Sequence, residues 1–458
     1  MLWVGCGRGL AFKSGHVIRR GVTAWTLRGF HRWRGARKRL KAVPMPSVSI
    51  SPFVAPQSLA EAQALDAADP LAEALAHFSL PEGVIYLDGH SLGPATHSAL
   101  ARVQAGATQD WRTHLIRSWN DAGWIDLPAR IGGRLARLIG VEADEVLVCD
   151  SVSVNLFKLA AAALAVTPRR RLLVEAEEFP TDQYIAEGLT ALTGAPLERI
   201  AAGAAETALR EGGVLIKSVV NYRTGAVADL DTLEAAAQVG GARIIWDLSH
   251  AAGVLDLRLG ARGVSLATGC GYKYLNGGPG APAFVYVRRD LGEQLRTSIQ
   301  GWFGHQDAFA FHSDYAPVSG VGRFAAGTPP ILSCLALEGA LEAFDGVSLT
   351  AVEAKARALG QLWLERAVRL GLTAASPRDP LQRGGHVTIL HPDGYAIIQA
   401  LIAQGIIGDF RAPDAMRFGF SPLFLRYADV WRAFDAFAEV LESGSFRDPR
   451  FTARAKVT

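Results

Sequence analysis

The sequence predicts an α/β protein: a large domain on a mostly parallel sheet with helices on both faces, then a smaller α+β C-terminal domain. Three observations carry this. From residue 145 onward, short apolar runs alternate with helical segments, the pattern of strands joined by helical crossovers. After residue 345 the alternation gives way to one long helix and a mixture of short strands and helices. The chain has 458 residues, 49% of them hydrophobic, enough for a large core divided over two or three domains.

Element by element, "LAEALAHF" reads as a short helix and "VIYLDGHSLGP" as a strand running into a glycine turn. "HSALARVQAGATQDWRTHL" has helical periodicity, and "ARIGGRLARLIG" is an amphipathic helix that stops at glycine. Strands follow at "EVLVCD", "RRRLLVEA", "VLIKSVV", "ARIIWDLSH", "VSLATGC" and "APAFVYV". Between them, "SVSVNLFKLAAAALAV" and "DLDTLEAAAQVG" read as helices. After "TPPILSCLALEGALEAF", a long helix "LTAVEAKARALGQLWLERAVRLG" opens the smaller domain, which continues through "HVTIL", "AIIQALIAQG", "MRFGFSP" and "YADVWRAFDAFAEVLESG". The expected division is a basic extension at 1–44, an N-terminal segment at 45–84 packing on the small domain, a large domain at 85–345 and a small domain at 346–458.

The net charge of +3 conceals an asymmetry. Residues 1–44 hold eleven Lys or Arg and no acid, leaving 36 basic against 44 acidic residues in the body, a net of −8. An acidic body gives no support to nucleic-acid binding. The extension reads as a transit peptide, as a nucleic-acid-binding arm, or as a stretch upstream of a natural start at Met45. No window approaches the roughly 18 uninterrupted apolar residues of a membrane span. The four cysteines, Cys6, Cys149, Cys270 and Cys334, show no CxxC spacing, so no disulfide framework or metal site is expected. A cytoplasmic location is expected.

In open α/β sheets, ligands gather at the carboxyl ends of the strands. Four polar features fall there: Ser151 and Ser153 after "LVCD", "FPTD" at 179–182, "DLSH" at 247–250, and Tyr272 with Lys273 in "CGYKYLNGGPG". Taken singly, each has an ordinary alternative. Asp247 reads as a helix cap, His250 as a core histidine, and Lys273 as a solvated lysine. A phosphate-loop reading of Lys273 fails on order, because the glycines follow the lysine and no Ser or Thr comes next. "DSVSVN" is the better anion site, at a helix N-terminus. Together the features describe a pyridoxal phosphate site: a lysine for the aldehyde, a carboxylate for the pyridine nitrogen, and a helix N-terminus for the phosphate.

The chain resembles the fold-type I pyridoxal phosphate enzymes of the class V aminotransferase-like superfamily, and more narrowly the kynureninases. The segments that carry the resemblance are "LDGHSLGP", "SVSVNLF", "EEFPTDQY", "DLSHAAG", "GYKYLNGGPG", "GWFGH", "GTPPIL" and "MRFGFSPLF", spanning about residues 85–425. The resemblance implies a seven-stranded sheet, hydrolysis of kynurenine or its 3-hydroxy form to an anthranilate and L-alanine, and a place in tryptophan catabolism or NAD biosynthesis. It implies that Lys273 is the Schiff-base lysine and Asp247 the partner of the pyridine nitrogen, with His250 near the phenolic oxygen. Phe179 would stack on the ring, with Pro180, Thr181 and Asp182 beside it. Val152 and Ser153 would hold the phosphate, with Ser218 and Tyr272 adding contacts. Tyr272 would also act as an acid/base. Trp302 and Thr328 would arrive from the partner subunit of a homodimer. Arg417 would clamp the substrate carboxylate, and Ser91 and Trp119 would also touch substrate.

Without the resemblance, Phe179 and Trp119 read equally as core, Trp302 as a packing or surface residue, Thr328 as a turn, Arg417 as a surface ion pair and Ser218 as a plain strand-end hydroxyl. The family's glycine turn often reads "GNSLG"; His90 here is expected to be a neutral variation. Other enzymes on the same cofactor, a small aminotransferase or a cysteine desulfurase, remain as alternatives. A non-enzymatic binder of the cofactor is a further one. Desulfuration needs a reactive loop cysteine, and Cys334 lies in an apolar helical stretch.

Overall fold

The computed structural model describes residues 53–453, and the expectations attached to residues 1–44 fall outside them. The strands, in chain order, are β1 (Ile85–Tyr86), β2 (Val146–Val148), β3 (Leu172–Glu175), β4 (Leu197–Ile200), β5 (Val214–Ser218), β6 (Arg243–Asp247), β7 (Leu266–Cys270), β8 (Ala283–Val287), β9 (Thr373–Ala374), β10 (His386–Leu390), β11 (Ile406–Ile407), β12 (Asp409–Arg411) and β13 (Ala415–Gly419). β2 to β8 form a seven-stranded sheet in the order β2-β8-β7-β6-β5-β3-β4. β7, β6, β5, β3 and β4 are parallel, and β8 is antiparallel to both its neighbours.

Strand geometry explains why these segments read as unbroken apolar runs. Successive side chains point to opposite faces, and both faces are covered. Leu147, Leu172, Ile216, Ile245 and Val285 enter one core cluster, with Leu156 and Leu159 of helix Val152–Val166 and Leu189 of helix Pro180–Thr193. Their strand neighbours Val148, Leu173, Leu215, Trp246 and Phe284 enter the other, with Ile131, Leu233 and Leu337 from helices Leu127–Ile139, Leu230–Gly240 and Ile331–Ala340.

Three elements differ from the expectation. The run "VIYLD" yields only β1, which pairs with β11 (Ile85 opposite Ile406) outside the large sheet. The seventh strand of that sheet is instead β4, an edge strand whose residues Leu197–Arg199 are largely open to solvent and so show no apolar run. The helix expected over 97–115 breaks. It is α-helical over His97–Ala105, widens to a π-helix over Gly106–His114, and turns at Leu115 with φ +53°.

The second sheet, β12-β13-β10-β9, is antiparallel. Trp363 of helix Leu349–Arg369 packs on Phe418 of β13 at 4.3 Å between ring centroids and on Phe437 of helix Tyr427–Ser443 at 5.5 Å. Helix Leu59–Ala67 contributes Asp66, which accepts from the backbone N–H groups of Tyr427 (2.6 Å) and Ala428 (3.1 Å) and so caps the last long helix. Among the described residues, no helix is long and apolar enough to cross a membrane.

Candidate active site

A cavity of about 270 Å³ opens at the carboxyl ends of the parallel strands. Val152, Ser153, Phe179, Thr181, Asp182, Ser218, Asp247, His250, Tyr272 and Lys273 all line it, joined by Tyr222, Ser249 and Cys270. Pro180 opens the helix Pro180–Thr193 beside Phe179 but is not part of the lining.

One end of the cavity suits an anion. Two residues past β2 comes Asp150, held at φ +49°, and Ser151 then caps helix Val152–Val166 by accepting from Val154 N–H at 3.4 Å. The first N–H groups of such a helix have no intrahelical acceptor and face outward. The turn is braced from behind by buried Lys158, which donates to Asp150 Oδ2 (2.5 Å) and the Phe324 carbonyl (2.6 Å).

The other end is crowded with acid. Asp247, 5% exposed, accepts from Ser249 N (2.8 Å) and Oγ (2.5 Å). Ser218 is its strand neighbour on β5. Asp182 is fully buried, and neither of its oxygens has a partner. Glu178 accepts from the N–H groups of Phe179 and Ser218, both at 3.0 Å. Burial pushes Asp247 and Asp182 above the usual carboxylate range, and the neighbouring Asp247 and Glu178 charges push Asp182 further. Such a cluster is relieved by a cation. A ligand with an anionic group at one end and a protonated ring nitrogen at the other answers both ends, and pyridoxal phosphate has that distribution of charge.

Lys273 stands between. Its Nζ lies 3.3 Å from Nε2 of His250. Burial first, then the Lys273 ammonium, holds His250 well below the usual imidazole range, so the ring is neutral. With Lys273 charged, His250 Nε2 accepts and its proton sits on Nδ1. Tyr272, half-buried, has its phenol pushed up by burial and then by Cys270 and Asp247, so it is a donor at neutral pH. The glycines of this region make close backbone approaches. Gly93, of the "GHSLG" turn, donates to the Tyr272 carbonyl at 2.8 Å, and a Cβ there would come 2.3 Å from the Lys273 carbonyl oxygen.

Beside the cavity lies a second buried cluster, which brings Arg417 and Ser91 together. Arg417, 2% exposed, donates from Nη2 to Ser91 Oγ (3.2 Å) and from Nη1 to the carbonyl of Tyr222 (2.7 Å), the residue whose ring meets Phe179 edge-on at 5.2 Å. Its Nε donates to Asp409 Oδ1 at 2.7 Å, and Nη2 donates to Oδ2. His90 belongs to this cluster. It is fully buried, stacks on His386 at 5.1 Å, and sits with Nδ1 3.4 Å from Asp88 and Nε2 3.8 Å from Asp409. Asp88, His90 and Asp409 lie within 4.8 Å of one another, a spacing that could hold a metal ion. Arg417 and Arg411 already answer the Asp409 carboxylate, so guanidinium takes the place a metal ion would have there.

Three predicted residues stand away from the cavity. Trp302 and Thr328 are exposed. Trp302 packs on Phe303 (4.2 Å), Phe309 (5.6 Å) and Phe311 (6.2 Å), the last two themselves exposed. Trp119 is half-buried between Trp124 (6.0 Å) and Phe303 (5.8 Å). Glu178, Tyr222, His386 and Asp409 were not foreseen. Only "NYRTG" following a strand offered any local signal, for Tyr222.

Residues 352–437 match the family model described as the kynureninase C-terminal domain. Over 413 residues the chain is 44% identical to a kynureninase of Pseudomonas fluorescens, covering 86% of this chain and 98% of that protein. The chain belongs to the kynureninase family. A kynureninase of Burkholderia mallei (strain SAVP1) is 43% identical over 411 residues, covering 87% and 99%. Among solved structures, the apo cysteine desulfurase of Thermococcus onnurineus NA1 superposes with TM-score 0.69 at 18% identity, over 81% of this chain and 98% of that one. A subgroup IV aspartate aminotransferase of Thermus thermophilus gives 0.60 at 19%, over 78% and 99%. These likenesses place the kynureninase-family chain on fold type I. Among the described residues, Cys149, Cys270 and Cys334 are all buried, with their thiols pushed up, which does not favour desulfuration.

Proposed function

We propose that this chain is a pyridoxal phosphate-dependent kynureninase, hydrolysing L-kynurenine, its 3-hydroxy form or both to the corresponding anthranilate and L-alanine. The observation that carries this beyond family membership is the cavity itself: Lys273 between an acid end at Asp247 and an anion end at Val152 and Ser153.

When bound, the cofactor supplies an electron-withdrawing ring that makes the substrate's α-hydrogen acidic and the bond between its β and γ carbons hydrolysable. The protein's residues do the rest. Val152 and Ser153 would hold the phosphate through backbone N–H and hydroxyl groups, with Ser218 and Thr181 close by. Asp247 would keep the ring nitrogen protonated, and the unpartnered Asp182 would add a second acceptor. Phe179 would lie against the ring, with Pro180 opening the helix beside it. Arg417 and Ser91 receive the α-carboxylate. The Lys273 amine takes the α-proton, while neutral His250 orients Nζ. The Tyr272 phenol donates a proton to the β-carbon in the last step.

The working unit of this proposal is a homodimer. Trp302 and Thr328 are exposed on the single chain and away from its own cavity. In this reading they complete the partner's site, with Trp119 near the substrate's aromatic ring. The test is incubation of purified protein with kynurenine and, in parallel, with its 3-hydroxy form, following fluorescence of the corresponding anthranilate and, separately, the bound cofactor's visible absorbance. Bound cofactor without anthranilate would refute the substrate while leaving the cofactor assignment standing.

A further inference from the structure

We propose that Asp409 is a positioning residue: it grips Arg417 side-on and so presents the Nη1/Nη2 edge of the guanidinium to the substrate's α-carboxylate. This rests on the functional reading above.

Asp409 and Arg417 are Cα partners across β12 and β13, which puts their side chains on one face of the sheet. Guanidinium has five N–H groups in a rigid fork. Asp409 takes one from Nε and one from Nη2. The Tyr222 carbonyl takes one from Nη1, and Ser91 Oγ takes the second from Nη2 at 3.2 Å, the longest of the set. One N–H, on Nη1, is left over. Nη1 and the Nη2 hydrogen that meets Ser91 belong to the end-on edge of the guanidinium, an edge that matches a carboxylate bidentately. Ser91 Oγ gives its own hydrogen to Asp409 Oδ2 at 2.8 Å, so it meets the guanidinium only as an acceptor. An incoming carboxylate oxygen can take its place without stranding either group.

Charge and packing agree. Asp409 alone would neutralise Arg417, and a neutral pair attracts a carboxylate weakly. Arg411, with Nη2 2.9 Å from Asp409 Oδ2, restores the positive excess. Behind the pair, the fully buried ring of His90 fills the space next to Asp409. Gly419 approaches that ring so closely that a Cβ would lie 2.3 Å from Nδ1. The carboxylate is thereby confined to the guanidinium.

The test uses the holoenzyme with Asp409→Asn. KM for kynurenine should rise roughly 10- to 100-fold, the range expected when a hydrogen bond to a charged group is lost, with kcat changing far less. Binding is read in parallel from the holoenzyme's visible absorption, with kynurenine and with its amine analogue lacking the α-carboxylate. Only the carboxylated ligand should weaken. An unchanged KM, or equal weakening of both ligands, would overturn the proposal. If Asp409→Asn does not fold, Asp409→Glu, which keeps the charge but moves it, should show the same selective loss, and an unchanged KM there would equally overturn it. Absence of hydrolysis by the unsubstituted protein would count against the reaction instead, and the comparison of the two ligands would still judge Asp409.

Discussion

Lys273 Nζ lies 3.3 Å from Nε2 of a histidine, His250, that burial keeps uncharged. The amine therefore has a neutral ring beside it rather than a competing charge. Lys273→Ala should lower turnover by about 10³-fold or more, near the upper range for loss of a positioned proton-transfer group. It should also abolish the visible absorbance that depends on the amine. An undiminished band in the variant would show that Lys273 does not carry the cofactor.

Gly93 touches the same loop from the other side. A methyl group there would come 2.3 Å from the Lys273 carbonyl oxygen and equally close to Asn276 Oδ1. Gly93→Ala should displace the lysine loop, lower the urea midpoint by an amount corresponding to about 1–3 kcal/mol, and reduce cofactor occupancy. Full occupancy with an unshifted midpoint would show that the loop yields freely.

These two cases show what sequence could and could not reveal. Lys273, Asp247 and Ser151–Ser153 were legible because parallel strands read as apolar runs and their polar endings stand out. β4 was not, because an edge strand open to solvent needs no apolar run. Asp409 was not, because its meaning comes from facing Arg417 across an antiparallel pair whose register no local pattern announces. The surroundings of His90 were not legible either, because its neighbours His386 and Asp409 are about 300 residues away in the chain.

Trp302 and Lys273 offer a test of the shared site. In a two-fold dimer with Trp302 crossing over, a chain carrying Lys273→Ala and one carrying Trp302→Ala form hybrids with one intact site and one doubly damaged site. Mixing the two inactive homodimers under exchange conditions should then restore about a quarter of wild-type activity, half of the dimers being hybrid and each having one working site. No recovery, with hybrids shown to form, would place Trp302 in its own chain's site or outside both.

Asp88 should make substrate binding depend on pH. Its carboxyl is pushed up to about 7, by burial first and then by the Asp409 charge, while the Ser91 hydroxyl, Arg417 and Arg411 pull it down. The groups facing it are Tyr86, neutral His90, ionised Asp409 and the two arginines. A carboxyl with a raised value is protonated below that value and negative above it. Below about pH 7 the cluster therefore keeps the positive excess that Arg411 provides; above it, ionised Asp88 cancels that excess and opposes the incoming carboxylate. KM for kynurenine should rise between about pH 6 and about pH 8, with kcat following a different profile. Asp88→Asn, which cannot ionise, should hold KM level across the same range. A wild-type KM that does not move, or an Asp88→Asn variant that keeps the wild-type slope, would assign the dependence elsewhere.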